Sequence, residues 1–248
     1  MPILSLDINP PIAALGPQRQ PQLCYALLTI GAAGATAAQA VNWAFVADAS
    51  RSMRIPILDE AQFRAIIRDG GAQETLIDGV PVWQLAASLP PELKATVKSP
   101  LDHVARALHA LLERLDSADR FALVACAEQA LVLVESAPGD GRELLVRGID
   151  ELRQVNLGDA TDLSTGLRLG LDQLRHGRSS HRTDRLVLLT DGFTEVPEKC
   201  LELAARAAAE GVAISTFGLG GEFQEALLTR IADATGGQAR LVRRAEDI

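Results

Sequence analysis

Two apolar segments that each run out into an aspartate constrain this chain more than any other feature. Val41–Ala47 carries no charge and leads into Asp48, and Leu186–Thr190 does the same before Asp191. Uncharged runs of this length, bounded by loop residues, read as strands buried on both faces, the condition of a parallel sheet covered by helices. The rest of the chain fits that reading. Leu101, Val104, Leu108, Leu111, Leu112 and Leu115 repeat at helical spacing. Arg120–Ala125 and Ala130–Val134 are strands joined only by Ala127-Glu128-Gln129, a link too short for anything but an antiparallel hairpin. Helices are expected at 142–153, 163–175, 197–210 and 222–235, with strands at 185–190, 212–217 and 238–242. The expectation is an α/β fold: a doubly wound, mostly parallel, Rossmann-like sheet with one antiparallel edge strand and helices on both faces.

In such a sheet, ligands bind beyond the carboxyl ends of the strands, where the winding direction reverses. With the 43–48 strand starting the core, the 120–135 hairpin on one side and the 185–190 strand on the other, Asp48 and Asp191 face each other across that point. Upstream, residues 3–8 alternate apolar and polar, and Gln22–Ile30 reads as a second strand. These N-terminal strands form a small β layer or extend an edge of the sheet, and 31–39 is a small-residue linker. The organisation expected is an N-terminal β-strand extension over 1–40 and a main domain over 41–248.

The loop after the first core strand reads Asp48-Ala49-Ser50-Arg51-Ser52. One carboxylate and two hydroxyls at alternating positions on a tight loop can point at one centre. Hard oxygen donors of this kind suit Mg²⁺, with Mn²⁺ or Ca²⁺ as alternatives, rather than zinc. A second loop, Gly158–Leu167, places Thr161 just ahead of Asp162, a residue suited to capping the helix that follows. A third, Thr190-Asp191-Gly192, ends the second buried strand.

Together these three segments resemble the metal-ion-dependent adhesion site of the von Willebrand factor type A family: D-x-S-x-S, then a Thr, then an Asp. The resemblance covers roughly residues 41–244. It implies a metal-ligand set of Asp48, Ser50, Ser52, Thr161 and Asp191. Arg51 and Ala160 stand where glycine is frequent; neither change removes a ligand, and Arg51 sets a cation beside the metal loop. The function implied is metal-dependent protein–protein interaction, in which a divalent cation binds an Asp or Glu carboxylate of a protein partner. The alternative is a regulatory or adaptor subunit of an ATPase- or chelatase-type complex.

A metal-dependent hydrolase is the weaker reading, and no enzyme activity is expected. An aspartate-nucleophile phosphatase needs a second Asp two residues after the first, where Ser50 stands. No His neighbours Ser50 or Ser52 to act as a base, and G-x-S-x-G is absent. No glycine-rich loop follows the first core strand, which rejects a dinucleotide site.

Residues 54–99 separate the metal loop from the helix that begins near Leu101, far more than the roughly 12–15 residues of an ordinary long connection. This insertion contains an expected helix, Glu60–Arg68, and a hairpin pattern turning at Asp78-Gly79. Because it leaves from the metal loop, it is expected on or beside the metal face. Trp83 within it, and Arg51, are the candidates for partner contacts.

Composition closes off other classes. A net charge of −8 without a basic run argues against a nucleic-acid surface, and 4 % aromatics are too few for base stacking. Cys24, Cys126 and Cys200 form no C-x-x-C, and Cys126 reads as a small buried hydrophobe. The four histidines do not cluster. No apolar run reaches membrane-spanning length and no charged-then-apolar leader opens the chain, so a cytoplasmic location without membrane association is expected.

Overall fold

The computed structural model describes residues 3–9, 27–33, 39–55, 58, 60–69, 71–77, 80–85, 98–219 and 224–242. It divides into two compact units, Met1–Gln39 and Ala40–Ile248. In the first, β1 (Ile3–Asn9) and β2 (Leu27–Ala33) pair antiparallel with Ile3 opposite Ala33. Among the described residues they form a two-stranded sheet of their own. The second strand also sits later than its sequence pattern indicates. It runs through Gly31, Ala32 and Ala33, expected as linker, because pairing with β1 supplies the ladder bonds that these weak strand formers do not favour by themselves. Residues 22–26, with Cys24 among them, lie outside the described residues.

In the second unit the chain runs β3 (Ala40–Asp48), α1 (Arg51–Arg54), α2 (Glu60–Arg68), β4 (Ala72–Ile77), β5 (Val80–Leu85) and α3 (Pro100–Leu112). It continues with β6 (Arg120–Cys126), β7 (Ala130–Pro138), α4 (Arg142–Leu152), α5 (Leu163–Gly177) and β8 (Arg182–Thr190). It closes with α6 (Pro197–Ala209), β9 (Ala213–Leu219), α7 (Glu225–Thr235) and β10 (Ala239–Val242). The main sheet has the order β10-β9-β8-β3-β6-β7, parallel except for the β6–β7 pair at one edge. This is the doubly wound arrangement expected. From β3 the chain winds first to β6 on one side and later to β8 on the other.

Successive side chains of a strand point to opposite faces, and β3 divides its residues accordingly. Phe45 and Ala47 join Phe121, Leu123 and Ala125 of β6 under Leu101, Val104 and Leu108 of α3 and Leu145, Ile149 and Leu152 of α4. Ala44 and Val46 join Ala122, Val124 and Cys126 beneath α5, α6 and α7, through Leu163, Leu167, Leu171, Cys200, Ala204 and Ile231. Cys126 is fully buried there, an apolar packing residue. Helix α5 lies very close to the sheet. A Cβ on Gly166 would stand 2.7 Å from Cys126 Sγ, and one on Gly170 2.7 Å from Val46 Cγ2. That approach delivers the loop before α5 to the carboxyl ends of β3 and β6.

Helix α3 starts on a full capping box. Ser99 Oγ accepts from Asp102 N–H, and the Asp102 carboxylate accepts from Ser99 N–H. Helix α2 matches its expected span, and β4 and β5 form the expected hairpin. Asp78-Gly79 at its turn lie outside the described residues. Among the described residues, β4 and β5 pair only with each other and contribute nothing to the main sheet. No described helix is long and apolar enough to cross a membrane.

Candidate metal centre

Strands β3 and β8 are adjacent and parallel, with Ala47 opposite Leu189. Their last residues therefore bring Asp48 and Asp191 to the same end of the sheet. Asp48 has no solvent exposure. Its Oδ1 accepts from the Ser50 backbone N–H at 2.9 Å, and its Oδ2 accepts from the Thr190 hydroxyl at 2.6 Å. The carboxylate is thus fixed in orientation from its own loop and from the neighbouring strand.

The hydroxyls continue the cluster. Ser50 Oγ and Ser52 Oγ are 3.2 Å apart, and Ser52 Oγ donates to Asp191 Oδ1 at 2.7 Å. Thr161 approaches from the loop before α5: the position a Cβ on Gly192 would take is 3.8 Å from Thr161 Oγ1 and 3.9 Å from Ser52 Oγ. Ser50 and Thr161 are buried, whereas Ser52 is exposed, so the cluster opens to solvent on the Ser52 side.

The Thr161 loop is held by hydrogen bonds on every side. Asp162 caps α5, accepting from Ser164 N–H at 2.9 Å and Thr165 N–H at 3.3 Å. Its own N–H donates to Ala127 O at 2.8 Å. Thr194, almost fully buried, accepts from Leu163 N–H at 3.2 Å, and Glu195 N–H donates to Thr161 O at 3.3 Å. Arg51 N–H donates to Asp159 O at 3.4 Å, tying the loop after β3 to the loop before α5.

Asp48 and Asp191 bring negative charge to the site. Neither Asp48 nor Asp191 has an ion-pair partner among the described residues. Burial pushes the Asp48 carboxyl up, against the pull of the Thr190 and Ser50 hydrogen bonds. Asp191 is pushed up to about 6, first by burial and then by the nearby Asp48 charge, against the Ser52 hydrogen bond. Two carboxylates and three hydroxyls on neighbouring loops are a donor set whose chemistry fits a hard divalent cation. No group of three or more His, Cys, Asp or Glu residues suited to a metal occurs among the described residues, so a cation here would depend on the hydroxyls.

The structure thus brings Asp48, Ser50, Ser52, Thr161 and Asp191 together. Arg51 lies beside them with an exposed side chain. Trp83 stands in β5 opposite Glu74, and its side chain lies outside what is described. Sequence reasoning missed Thr190 and Thr194. A threonine ending an otherwise Val/Leu strand was a signal for the first. Nothing local marked the second, whose partner is 31 residues away in the chain.

Comparison with known proteins gives the family context. The model of the von Willebrand factor type A domain matches residues 95–248. An uncharacterized protein of Synechocystis, sll0103, is 27 % identical over 140 residues, covering 56 % of this chain and 32 % of that one. This chain therefore spans about a third of the length of the curated relative it matches. Among solved structures, a von Willebrand factor type A protein from Catenulispora acidiphila superposes with a TM-score of 0.61 at 17 % identity, over 98 % of this chain and 46 % of that one. Proximal thread matrix protein 1 of the mussel byssus, with a zinc-occupied adhesion-site motif, gives 0.56 at 17 % identity over 84 % and 43 %. BatB from Bacteroides thetaiotaomicron gives 0.54 at 15 % over 82 % and 91 %. At these identities the likeness is one of fold.

Proposed function

The chain belongs to the von Willebrand factor type A family, whose domains are generally protein-interaction modules, and we propose that this one binds its partner through a divalent cation held at the Asp48 cluster. The observation that carries this reading is the pairing of a buried carboxylate, Asp48, with a half-buried one, Asp191, neither in an ion pair among the described residues, beside the Ser50 and Ser52 hydroxyls at the reversal point of the sheet. Ser50, Ser52 and Thr161 would hold the ion directly, and Asp48 and Asp191 directly or through water. Neutral hydroxyl ligands leave the charge of a bound cation only partly neutralised, so that it offers an open coordination position to an Asp or Glu carboxylate of the partner.

The chain's own residues prepare that exchange. Thr190 and the Ser50 N–H fix Asp48, the Asp162 cap fixes the loop that presents Thr161, and Ser52 leaves the exposed side open. Oxygen-only donors favour Mg²⁺, with Mn²⁺ and Ca²⁺ as alternatives. The zinc in the byssus protein's motif makes Zn²⁺ a necessary comparison. In this reading the site docks a partner's carboxylate and has no catalytic role.

Calorimetric titration with Mg²⁺, Mn²⁺, Ca²⁺ and Zn²⁺ tests the proposal. One site per chain is expected, lost in Asp48→Ala with folding retained by circular dichroism. Equal binding in the variant would place any cation elsewhere and defeat the assignment.

A further inference from the structure

The two most exposed large apolar side chains described within Ala40–Ile248 both stand on loops of the cation cluster. Phe193 is 58 % exposed and Ile55 is 54 % exposed. Phe193 lies two residues beyond Asp191, and Ile55 lies three beyond Ser52. Those two loops meet at the 2.7 Å hydrogen bond from Ser52 Oγ to Asp191 Oδ1. Scattered exposed apolar residues are ordinary on protein surfaces. Two that border one polar cluster from separate loops call for a cause.

The backbone that carries each side chain is anchored by its described neighbours. Phe193 is bracketed by Gly192, whose N–H donates to Thr190 Oγ1 at 3.2 Å, and by Thr194, which is 3 % exposed. Thr194 O also accepts from Gln224 Nε2 at 3.3 Å. With anchors on both sides, Phe193 has no local way to turn inward. Ile55 closes the single turn α1, donating its N–H to Ser52 O at 3.0 Å. Just before it, Met53 is fully buried, and Arg54 Nε donates to Ala49 O at 3.1 Å. Hydrogen bonds and buried neighbours therefore anchor the backbone on which these two exposed apolar side chains stand, within three residues of Asp191 and Ser52.

We infer that the partner segment presents an acidic residue directly flanked by large apolar side chains, and that Phe193 and Ile55 are the specificity-determining contacts for those flanks. This inference rests on the cation-centred reading above. The chemistry of the two halves is complementary. The carboxylate alone would select any acidic peptide, whereas burying an aromatic ring and an isoleucine against apolar flanks adds selection that charge cannot supply. Such contacts also shield the metal–carboxylate bond from water, which strengthens it.

The test is selection of a random heptapeptide phage library on the whole chain in Mg²⁺, with bound phage eluted first by EDTA and then by acid. In the EDTA fraction, Asp or Glu is expected to be enriched, with Leu, Ile, Val, Phe or Met next to it at several times their input frequency. Selection on a Phe193→Ser/Ile55→Ser double variant is expected to keep the acidic enrichment and lose the apolar one. Both substituted positions are solvent-exposed, and unchanged Mg²⁺ calorimetry would verify that the variant retains its site. Acidic clones without apolar neighbours, or the same neighbours on the double variant, would overturn the inference and leave the cation reading standing. Apolar enrichment only in the acid fraction, lost in the double variant, would support the rim and remove the cation from the account. No enrichment in either fraction would overturn the inference.

Discussion

At the scale of single residues, Asp191 makes the metal-free site sensitive to pH. Burial and the Asp48 charge push its carboxyl up to about 6, above an unperturbed value of 3.8. The folded protein therefore holds a proton that the unfolded chain gives up, and this stabilises the fold at low pH. The contribution is complete below about pH 4 and is lost as pH rises through about 6. A cation held there, as proposed, would compete for the same carboxylate, so its binding would have the opposite dependence. Metal-free protein is expected to melt lower at pH 7 than at pH 5, within the range where global acid effects are small. Saturating Mg²⁺ should raise the melting temperature more at pH 7 than at pH 5. Scanning calorimetry across that range, with and without Mg²⁺, checks both trends; a larger Mg²⁺ shift at the lower pH would contradict the assignment of Asp191. Asp48, also shifted upward by burial, works in the same direction.

The residue scale also shows what a linear reading reaches. Asp48, Ser50 and Ser52 were legible because they sit within one loop at alternating positions. Thr161 and Asp191 were legible because each follows a recognisable local pattern. Thr190 was read only as the end of a strand. Its hydroxyl meets Asp48, 142 residues away, only because β3 and β8 are neighbours.

At the scale of elements, close packing without side chains sets where helices sit. Gly148 of α4 faces β7, and a Cβ there would stand 2.1 Å from Val134 Cγ2 and 3.3 Å from Leu133 O. In an exposed helix, Gly→Ala is favourable by about 1 kcal/mol. Here Val134 is 1 % exposed and its methyl has nowhere to go. Overpacking of this kind costs typically about 1–3 kcal/mol, so the clash reverses the sign. Gly148→Ala is expected to lower stability by about 1 kcal/mol or more in urea denaturation while leaving Mg²⁺ affinity unchanged, since α4 supplies no residue of the cluster. A stabilised variant would show that α4 can shift outward freely.

Periodicity gave these elements well where it was strong. The stripe from Leu101 and the hairpin at 120–138 both follow their patterns, although β7 runs on to Pro138 because β6 offers partners that far. It gave β2 poorly, since Gly31, Ala32 and Ala33 carry no strand signal and are ordered there by pairing with β1.

At the scale of the whole molecule, the open matter is what residues 54–99 do. We propose that this insertion lies beside the metal face and governs which partners reach it. It leaves the chain just after the cluster and returns at the capping box of α3. None of its described strands joins the main sheet. Replacing Ile57–Val97 with a short Gly-Ser link therefore breaks no ladder of that sheet. Cooperative unfolding and one Mg²⁺ site per chain are expected to persist. The peptides selected in Mg²⁺ are expected to change. Loss of the Mg²⁺ site on deletion would make the insertion part of the scaffold.

The sequence by itself determined the winding and the candidate ligands. Buried parallel strands must be apolar throughout, and loop residues after them stand out against that background. Tertiary structure alone decided which of those oxygens meet, which threonines hold them in place, and which apolar side chains are left facing water at the site. Those outcomes depend on strand order and on contacts between loops over a hundred residues apart, and a pattern local to the chain carries no record of such distances.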